Sequence, residues 1–366
     1  MEIAFARDVL YEAVHAVAGA LQDNSPRPAL QCIHFDVKSD AVTLSATDLR
    51  IAIRRTIEPK SVSETGTALV HGTRLGGLLR DAAADDVVLK FASNRAELRA
   101  ARSVFKLASQ DADQYPQLPA FGKAAVTVNG ERFSELVRRS VFAVAGEQGR
   151  YAINGVSMTV ADGNMELVGT DGRRLAVANT ALDSAGAIPQ CVVPPKMLSE
   201  LRKLGETGGP VELALDGGML LGRAGNLLVA GTLIDGTFPK YKEMIPTESP
   251  NTLTVPAQQL AAALRQAEHL TPEDSRAVTF DFEPGTLTLK SKSAAVGEAT
   301  IKVDVKYDGE PMVVAFNARF ILDAVNEFVG EDVAIEVGDA KSPAVIRRDG
   351  FTYVIAPVRV RENAEA

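Results

Sequence analysis

Residues 170–177 read TDGRRLAV, and residues 47–53 read TDLRIAI, 123 positions upstream. Each stretch sets Thr-Asp at the head of a turn that re-enters an apolar strand. One such turn constrains little, but a second copy makes the chain a repeat. The same period holds elsewhere. Amphipathic helical spans begin near residues 5, 131 and 256, and a second set near 73, 195 and 317. Equivalent elements therefore recur about every 122 to 126 residues.

Each copy follows one plan. In the first, apolar Val9, Leu10, Ala13, Val14 and Val17 predict a helix over 5–21, closed by Gly19 and Asn24-Ser25-Pro26. Strands are expected over 33–37, 41–45 and 47–57, then a second helix over 73–84 with Thr73 as its N-cap. Short strands lead to a Pro-bearing exit segment, 111–118. The second copy repeats this with helices over 131–144 and 195–204 and an exit segment at 235–246. The third has helices over 256–270 and 317–329 and closes on strands ending near Pro357. At 366 residues the chain is too long for one core. We therefore expect an α+β protein of three two-layer domains, 1–122, 123–247 and 248–366, docked through short connections. Six equivalent helices on one side and sheets on the other form a curved array that symmetric association could close.

The catalytic signatures are missing. There is no GxxxxGK[ST] loop, HExxH, GxSxG or Gly-rich dinucleotide fingerprint. His15, His34, His71 and His269 are scattered without metal-ligand spacing. Asp48 and Asp171 occupy equivalent turn positions, whereas an acid–base pair would place its carboxylates together in one cleft. The enzymatic alternative would have to use Asp171 and Arg174, and a β-rich structural oligomer is a further reading. No cofactor or metal is expected. Cys32 and Cys191 form no CxxC pair, which suits reduced thiols in a cytosol, and no apolar run is long enough to span a membrane.

The net charge of −8 argues against nucleic acid only as an average, because phosphate binding depends on the local field. Over the six helical spans basic residues outnumber acidic ones by two, so the acidic excess lies elsewhere. The middle copy is the most basic, through Arg132, Arg138, Arg139, Lys196, Arg202 and Lys203. Such a weak positive surface would let a protein slide along phosphates without gripping them.

Several stretches carry a family resemblance: RYAING at 150–155, TDGRRLAV, VPPK at 193–196, LIDGTFPKY at 233–241, Phe316-Asn317 and YVIAPVRV at 353–360. In this order and spacing the chain resembles the bacterial DNA polymerase III β subunits, the sliding clamps, over essentially its whole length. The resemblance implies the DNA-clamp fold, with three domains per chain and a head-to-tail homodimer. Helices would line the hole of the ring and sheets its outside. It also implies a non-catalytic processivity factor that encircles double-stranded DNA without sequence preference. Partners would be the replicative polymerase subunit, a clamp loader, and other DNA polymerases and repair proteins, all in the cytoplasm at the nucleoid.

By the same resemblance, a partner-peptide pocket would use Ile153, Thr170, Gly172, Arg173, Arg174, Leu175, Pro239, Met244, Asn317, Phe320, Val354, Ala356, Pro357 and Arg359. Apolar walls there would accept Leu or Phe side chains. DNA contacts would come from Arg27, Arg74, Arg138, Arg139, Arg150, Tyr151 and Lys196. The dimer seam would set Arg102 and Phe105 against His269, Leu270 and Glu298 of a second copy. Arg173 stands where the family commonly has His, and Ala356 where Met is common. The chain also runs on through 361–366, RENAEA, beside the pocket.

Overall fold

A computed structural model describes residues 1–92, 95–145, 154–182, 185–247 and 249–358. The first repeat opens with strand β1 (Glu2–Ala6) and helix α1 (Arg7–Ala18). It continues through β2 (Cys32–Val37), β3 (Val42–Thr47), β4 (Ile51–Ile57), β5 (Ser61–Val62) and β6 (Gly66–His71). Helix α2 (Gly72–Asp81), β7 (Asp86–Ala92), β8 (Arg95–Ala100) and β9 (Ser103–Gln110) complete it. The second repeat is β10 (Val126–Asn129), α3 (Gly130–Val141), β11 (Val156–Ala161), β12 (Asn164–Thr170), β13 (Arg174–Ala181) and β14 (Ile188–Val193). Then come α4 (Pro195–Gly205), β15 (Pro210–Asp216), β16 (Met219–Ala224) and β17 (Leu227–Thr232). The third is β18 (Asn251–Pro256), α5 (Ala257–Glu268), β19 (Ala277–Glu283), β20 (Thr286–Ser293), β21 (Gly297–Asp304) and β22 (Met312–Asn317). It ends with α6 (Ala318–Val325), β23 (Asp332–Val337), β24 (Ala344–Arg348) and β25 (Phe351–Ile355).

The first strand corrects the sequence reading. Ile3 and Phe5 alternate inward in β1, which pairs with β7, so the helix expected from residue 5 begins at Arg7. Leu10, Ala13, Val14 and Val17 are its buried face, while Val9 is 40% exposed. Thr73 does not cap α2: the N-cap is His71, and the Thr73 hydroxyl donates to Asp23 at 2.6 Å. The strand expected over 47–57 begins only at Ile51 as β4; Thr47 ends β3, and Asp48–Arg50 is the turn between them. Helix α3 stops at Val141, and α6 stops at Val325 and runs on as a 3₁₀ turn, Asn326–Phe328. Asn129 and Asn317 cap α3 and α6, accepting from the Arg132 and Arg319 amides at 3.1 and 3.0 Å. These bonds satisfy donors that the first helical turn leaves free.

The sheets do not stop at repeat boundaries. A 13-stranded sheet runs β10-β15-β16-β17-β4-β3-β2-β6-β9-β8-β7-β1-β5, and an 8-stranded sheet runs β14-β11-β12-β13-β25-β24-β23-β18. A 4-stranded sheet, β21-β20-β19-β22, closes the third repeat. The first and second repeats therefore join where β17 pairs antiparallel with β4, and the second and third where β25 pairs with β13. Within each repeat the two helices pack on each other and on the sheets beside them. At the first junction the strands face two ways. Ile53 and Arg55 of β4 line a hollow with α1 and α4, while Arg54 and Thr56 line a cavity on the opposite, outer face. Burying a Leu, Ile or Phe side chain stabilises by about 1.5–3 kcal/mol, and each repeat holds many. No helix among the described residues is long and apolar enough to cross a membrane.

Candidate partner-binding junction and nucleic-acid surface

The second junction is built outward from the Thr-Asp-Gly turn. The Thr170 hydroxyl donates to the Arg174 carbonyl at 2.7 Å and accepts from the Gly172 amide at 3.1 Å. The Asp171 carboxylate accepts from the Arg173 and Arg174 amides at 2.9 and 3.0 Å. Gly172 has φ 82°, a backbone that glycine adopts without steric cost. The first-repeat copy makes the same set: Thr47 to the Ile51 carbonyl, the Leu49 amide to Thr47, and the Arg50 and Ile51 amides to Asp48. Leu49, at φ 72°, occupies the position of Gly172. Both carboxylates are thus spent on holding turns.

Arg174 is the hub of the junction. Its Nε donates to Asp171 at 3.0 Å, one terminal nitrogen to Asp323 of α6 at 2.5 Å, and the other to the Phe142 carbonyl at 2.7 Å. The guanidinium also lies 4.4 Å from the Phe320 ring centroid and 5.6 Å from that of Phe142, within cation–π range. Burial works against its charge, but Tyr353, Asp323 and Asp171 outweigh this and hold the guanidinium above its ordinary range.

Around the hub the chain brings together segments far apart in sequence. Leu175 pairs with Val354 across β13 and β25, and the Ala356 amide donates to the Arg173 carbonyl at 2.8 Å. Two residues on, the Val358 amide donates to Ala315 of β22 at 2.7 Å, so 356–358 bridges the second and third repeats. Leu175 and Val354 belong to a compact apolar cluster with Val168, Val177, Phe238 and Tyr241. Phe238 and Tyr241 pack edge to face at 6.3 Å. The Tyr241 hydroxyl donates to Glu166, and burial followed by that carboxylate raises its pKa. Pro239 and Met244 sit exposed on the exit segment that these two aromatics pin down. Asn317 both caps α6 and donates to the Ser275 carbonyl at 3.0 Å.

The basic residues divide. Arg27 and Arg74 are exposed and form no ion pair among the described residues. Lys196 reaches across the first junction to Asp48 at 2.7 Å. Arg138 pairs with Glu327 of the third repeat and stays half-exposed. Arg139 is buried, bonded to Glu135 at 2.7 Å and 3.7 Å from Glu327. That burial makes it a brace between repeats, unlike a free phosphate ligand. Arg102, Glu298 and His269 are exposed and Phe105 and Leu270 half-buried, the arginine and phenylalanine in the first repeat and the others in the third. Arg150, Tyr151, Ile153 and Arg359 lie outside the described residues.

Models of the DNA polymerase III beta subunit match nearly the whole chain: the N-terminal domain at 1–119, the central domain at 127–240 and the C-terminal domain at 242–359. The beta sliding clamp of Caulobacter vibrioides is 30% identical, over 98% of this chain and 100% of its own. The chain belongs to the beta sliding clamp family. The clamp of Chlamydia trachomatis is 29% identical over 99% of this chain and 88% of its own. Among solved structures, a Caulobacter crescentus clamp matches with a TM-score of 0.92 at 30% identity, over 98% of this chain and 99% of that one. A Pseudomonas aeruginosa clamp bound to griselimycin also matches at 0.92, with 25% identity over 98% and 100%. This clamp is accordingly a processivity factor of DNA polymerase III in replication, with no catalytic role. The purely structural use of Asp48 and Asp171 agrees with that, and the enzymatic reading of Asp171 with Arg174 falls away.

Sequence patterning missed Asp323, Phe142 and the Lys196–Asp48 tie.

Proposed function

We propose that two copies of this clamp associate head to tail into a ring that encircles duplex DNA. The ring tethers the replicative polymerase and is opened by a clamp loader. The observation that carries this reading is the sheet topology. In the first repeat β4 receives β17, and in the second β13 receives β25. Among the described residues the equivalent strand of the third repeat, β21, is an edge with no further partner in its sheet, and β9 leaves residues 103–108 unpaired on one side. Exposed edges of this kind invite strand addition. The repeat also supplies the register. Leu227 and Phe351, the first residues of β17 and β25, pair with Arg55 and Ala178. Carried to the third repeat, Ser103 of one copy would pair with Thr300 of the other, and Phe105 with Glu298. Exposed Val104 and Val296, at 55% and 60%, would be covered there.

The three domains are assigned to 1–122, 123–247 and 248–366. Arg27, Arg74, Arg138 and Lys196 of the helical side, with Arg150 and Tyr151, give a loose phosphate surface, and Arg139 braces it from behind. The pocket for partner peptides is assigned to the second junction: Thr170, Gly172, Arg173, Arg174, Leu175, Pro239, Met244, Asn317, Phe320, Val354, Ala356 and Pro357, with Ile153 and Arg359. The same pocket would serve the loader, other polymerases and repair proteins, in the cytoplasm at the nucleoid.

Retention on DNA tests the ring. Clamp loaded on a nicked circular duplex should stay bound through gel filtration and run off once the circle is cut. Phe105→Arg should yield monomers by sedimentation and abolish retention. Equal loss from circular and linear DNA, or a Phe105→Arg dimer, would overturn the reading.

A further inference from the structure

The outer face of the first junction holds an open cavity of about 640 Å³ that the ring and the partner pocket leave unused. Its floor is the face of β2, β3 and β4, and its wall is the segment after β9. Arg54 projects into it. One guanidinium nitrogen donates to the Leu118 carbonyl at 2.6 Å, and the group forms no ion pair among the described residues. The Tyr115 ring stacks on His34 at 4.9 Å and 16°, and its buried hydroxyl has no hydrogen-bond partner among the described residues. Thr43 and Thr56 share a 3.0 Å hydroxyl contact nearby. Among the described residues Asp36 is the only carboxylate in the lining, Lys38 and Arg223 add positive charge, and Pro116, Leu118 and Leu228 supply apolar surface.

We propose that this cavity is a second docking site on the clamp, for a short acidic peptide segment whose carboxylate is received by Arg54 and the Tyr115 hydroxyl. A half-buried guanidinium with a single carbonyl acceptor keeps unused donors, and a buried phenol without an acceptor is costly. Both residues line one cleft, so a carboxylate held by the Arg54 guanidinium, which matches its two oxygens, can also take the phenol's donor once it displaces the groups packed over that hydroxyl. The neighbouring leucines and proline set the rest of the ligand. A bare anion would leave them wet, whereas a peptide covers them with side chains. Burial, aided by Arg54 and opposed by Asp36, lowers the His34 pKa, so the ring that stacks on Tyr115 is neutral at neutral pH. The site stands on these contacts alone and does not depend on the peptide pocket at the second junction.

The test uses full-length clamp and a fluorescein-labelled peptide of alternating Ala and Asp, which lacks the large apolar side chains expected at the other junction. Saturable binding by anisotropy is expected, with loss on replacing Asp by Asn in the peptide. Arg54→Gln should weaken binding roughly tenfold or more, and Tyr115→Phe severalfold. Arg54→Lys should retain part of the affinity, which guards against a folding defect in Arg54→Gln. Binding that survives Arg54→Gln but is lost in Val354→Asp would place the peptide at the second junction and overturn the proposal. Inorganic phosphate binding in place of the peptide would reduce the cavity to a simple anion site and overturn it as well.

Discussion

The two junctions inside this chain share one backbone plan and differ in what covers it. At each, the last strand of one repeat adds to the edge of the neighbouring repeat, beside a Thr-Asp turn with the same four hydrogen bonds. The electrostatic tie is inverted. At the first junction the turn supplies the acid, Asp48, and the α4 helix supplies Lys196. At the second the turn supplies Arg174 and the α6 helix supplies Asp323. The outer faces diverge further. Val168 and Val177 belong to the apolar cluster under Phe238 and Tyr241. Their counterparts 123 residues earlier are Ser45 and Arg54, which face a cavity. One scaffold thus presents an apolar seat at one junction and a basic cleft at the other. Duplication copied the strand pairing, and the outward-facing side chains set the chemistry.

The comparison can be broken most severely at Arg174. Its side chain is only 12% exposed, and Arg174→Ala would strand Asp323 and Asp171 and remove the stack on Phe320. A loss on the order of 3 kcal/mol is expected, measured as the shift of the urea midpoint, because breaking a largely buried pair leaves an uncompensated charge. Lys196→Ala at the first junction should cost less than about 1 kcal/mol by the same assay, since that side chain is 53% exposed and solvent screens the pair. A shift as large as that of Arg174→Ala would show the two ties to be equivalent after all.

The acid of the first tie carries a pH signature. Burial alone would raise the Asp48 pKa, but the Lys196 bond and the Ile51 and Arg50 amides outweigh it and lower the pKa below the ordinary carboxylate value. A depressed carboxylate contributes stability above its unfolded pKa and loses it as pH falls through the folded value. Asp48→Asn should therefore be less stable than the parent at neutral pH and approach it in acid. A gap independent of pH would remove the charge from the explanation. The smallest effect is expected at the turn itself. Leu49→Gly relieves the cost of a left-handed backbone but loosens the unfolded chain, so the net change should stay within about 1 kcal/mol.

A good share of this molecule is legible without coordinates. The period, the six helices and the turn carrying Thr170 and Asp171 follow from local rules: apolar spacing, capping residues and turn chemistry. Strand β1 escaped because five residues of period two, EIAFA, run straight into a helical pattern that also accepts Phe5. The motifs at 170–175, 317–320 and 354–357 point to the candidate pocket, yet nothing local places Asp323 beside Arg174, 149 positions away. Nor could charge counting separate exposed Arg138 from buried Arg139, adjacent on one helix.

What the sequence determined by itself was the repeat and, through it, the kind of element at each position, because helix, strand and turn preferences act over a few neighbouring residues. The tertiary structure decided which edges meet, which cations are spent on ties between repeats, and which outer face is packed and which is open. Those outcomes depend on groups brought within a few ångströms by strand pairing across the junctions, where burial and charge pairing act through space and leave no periodic mark along the chain.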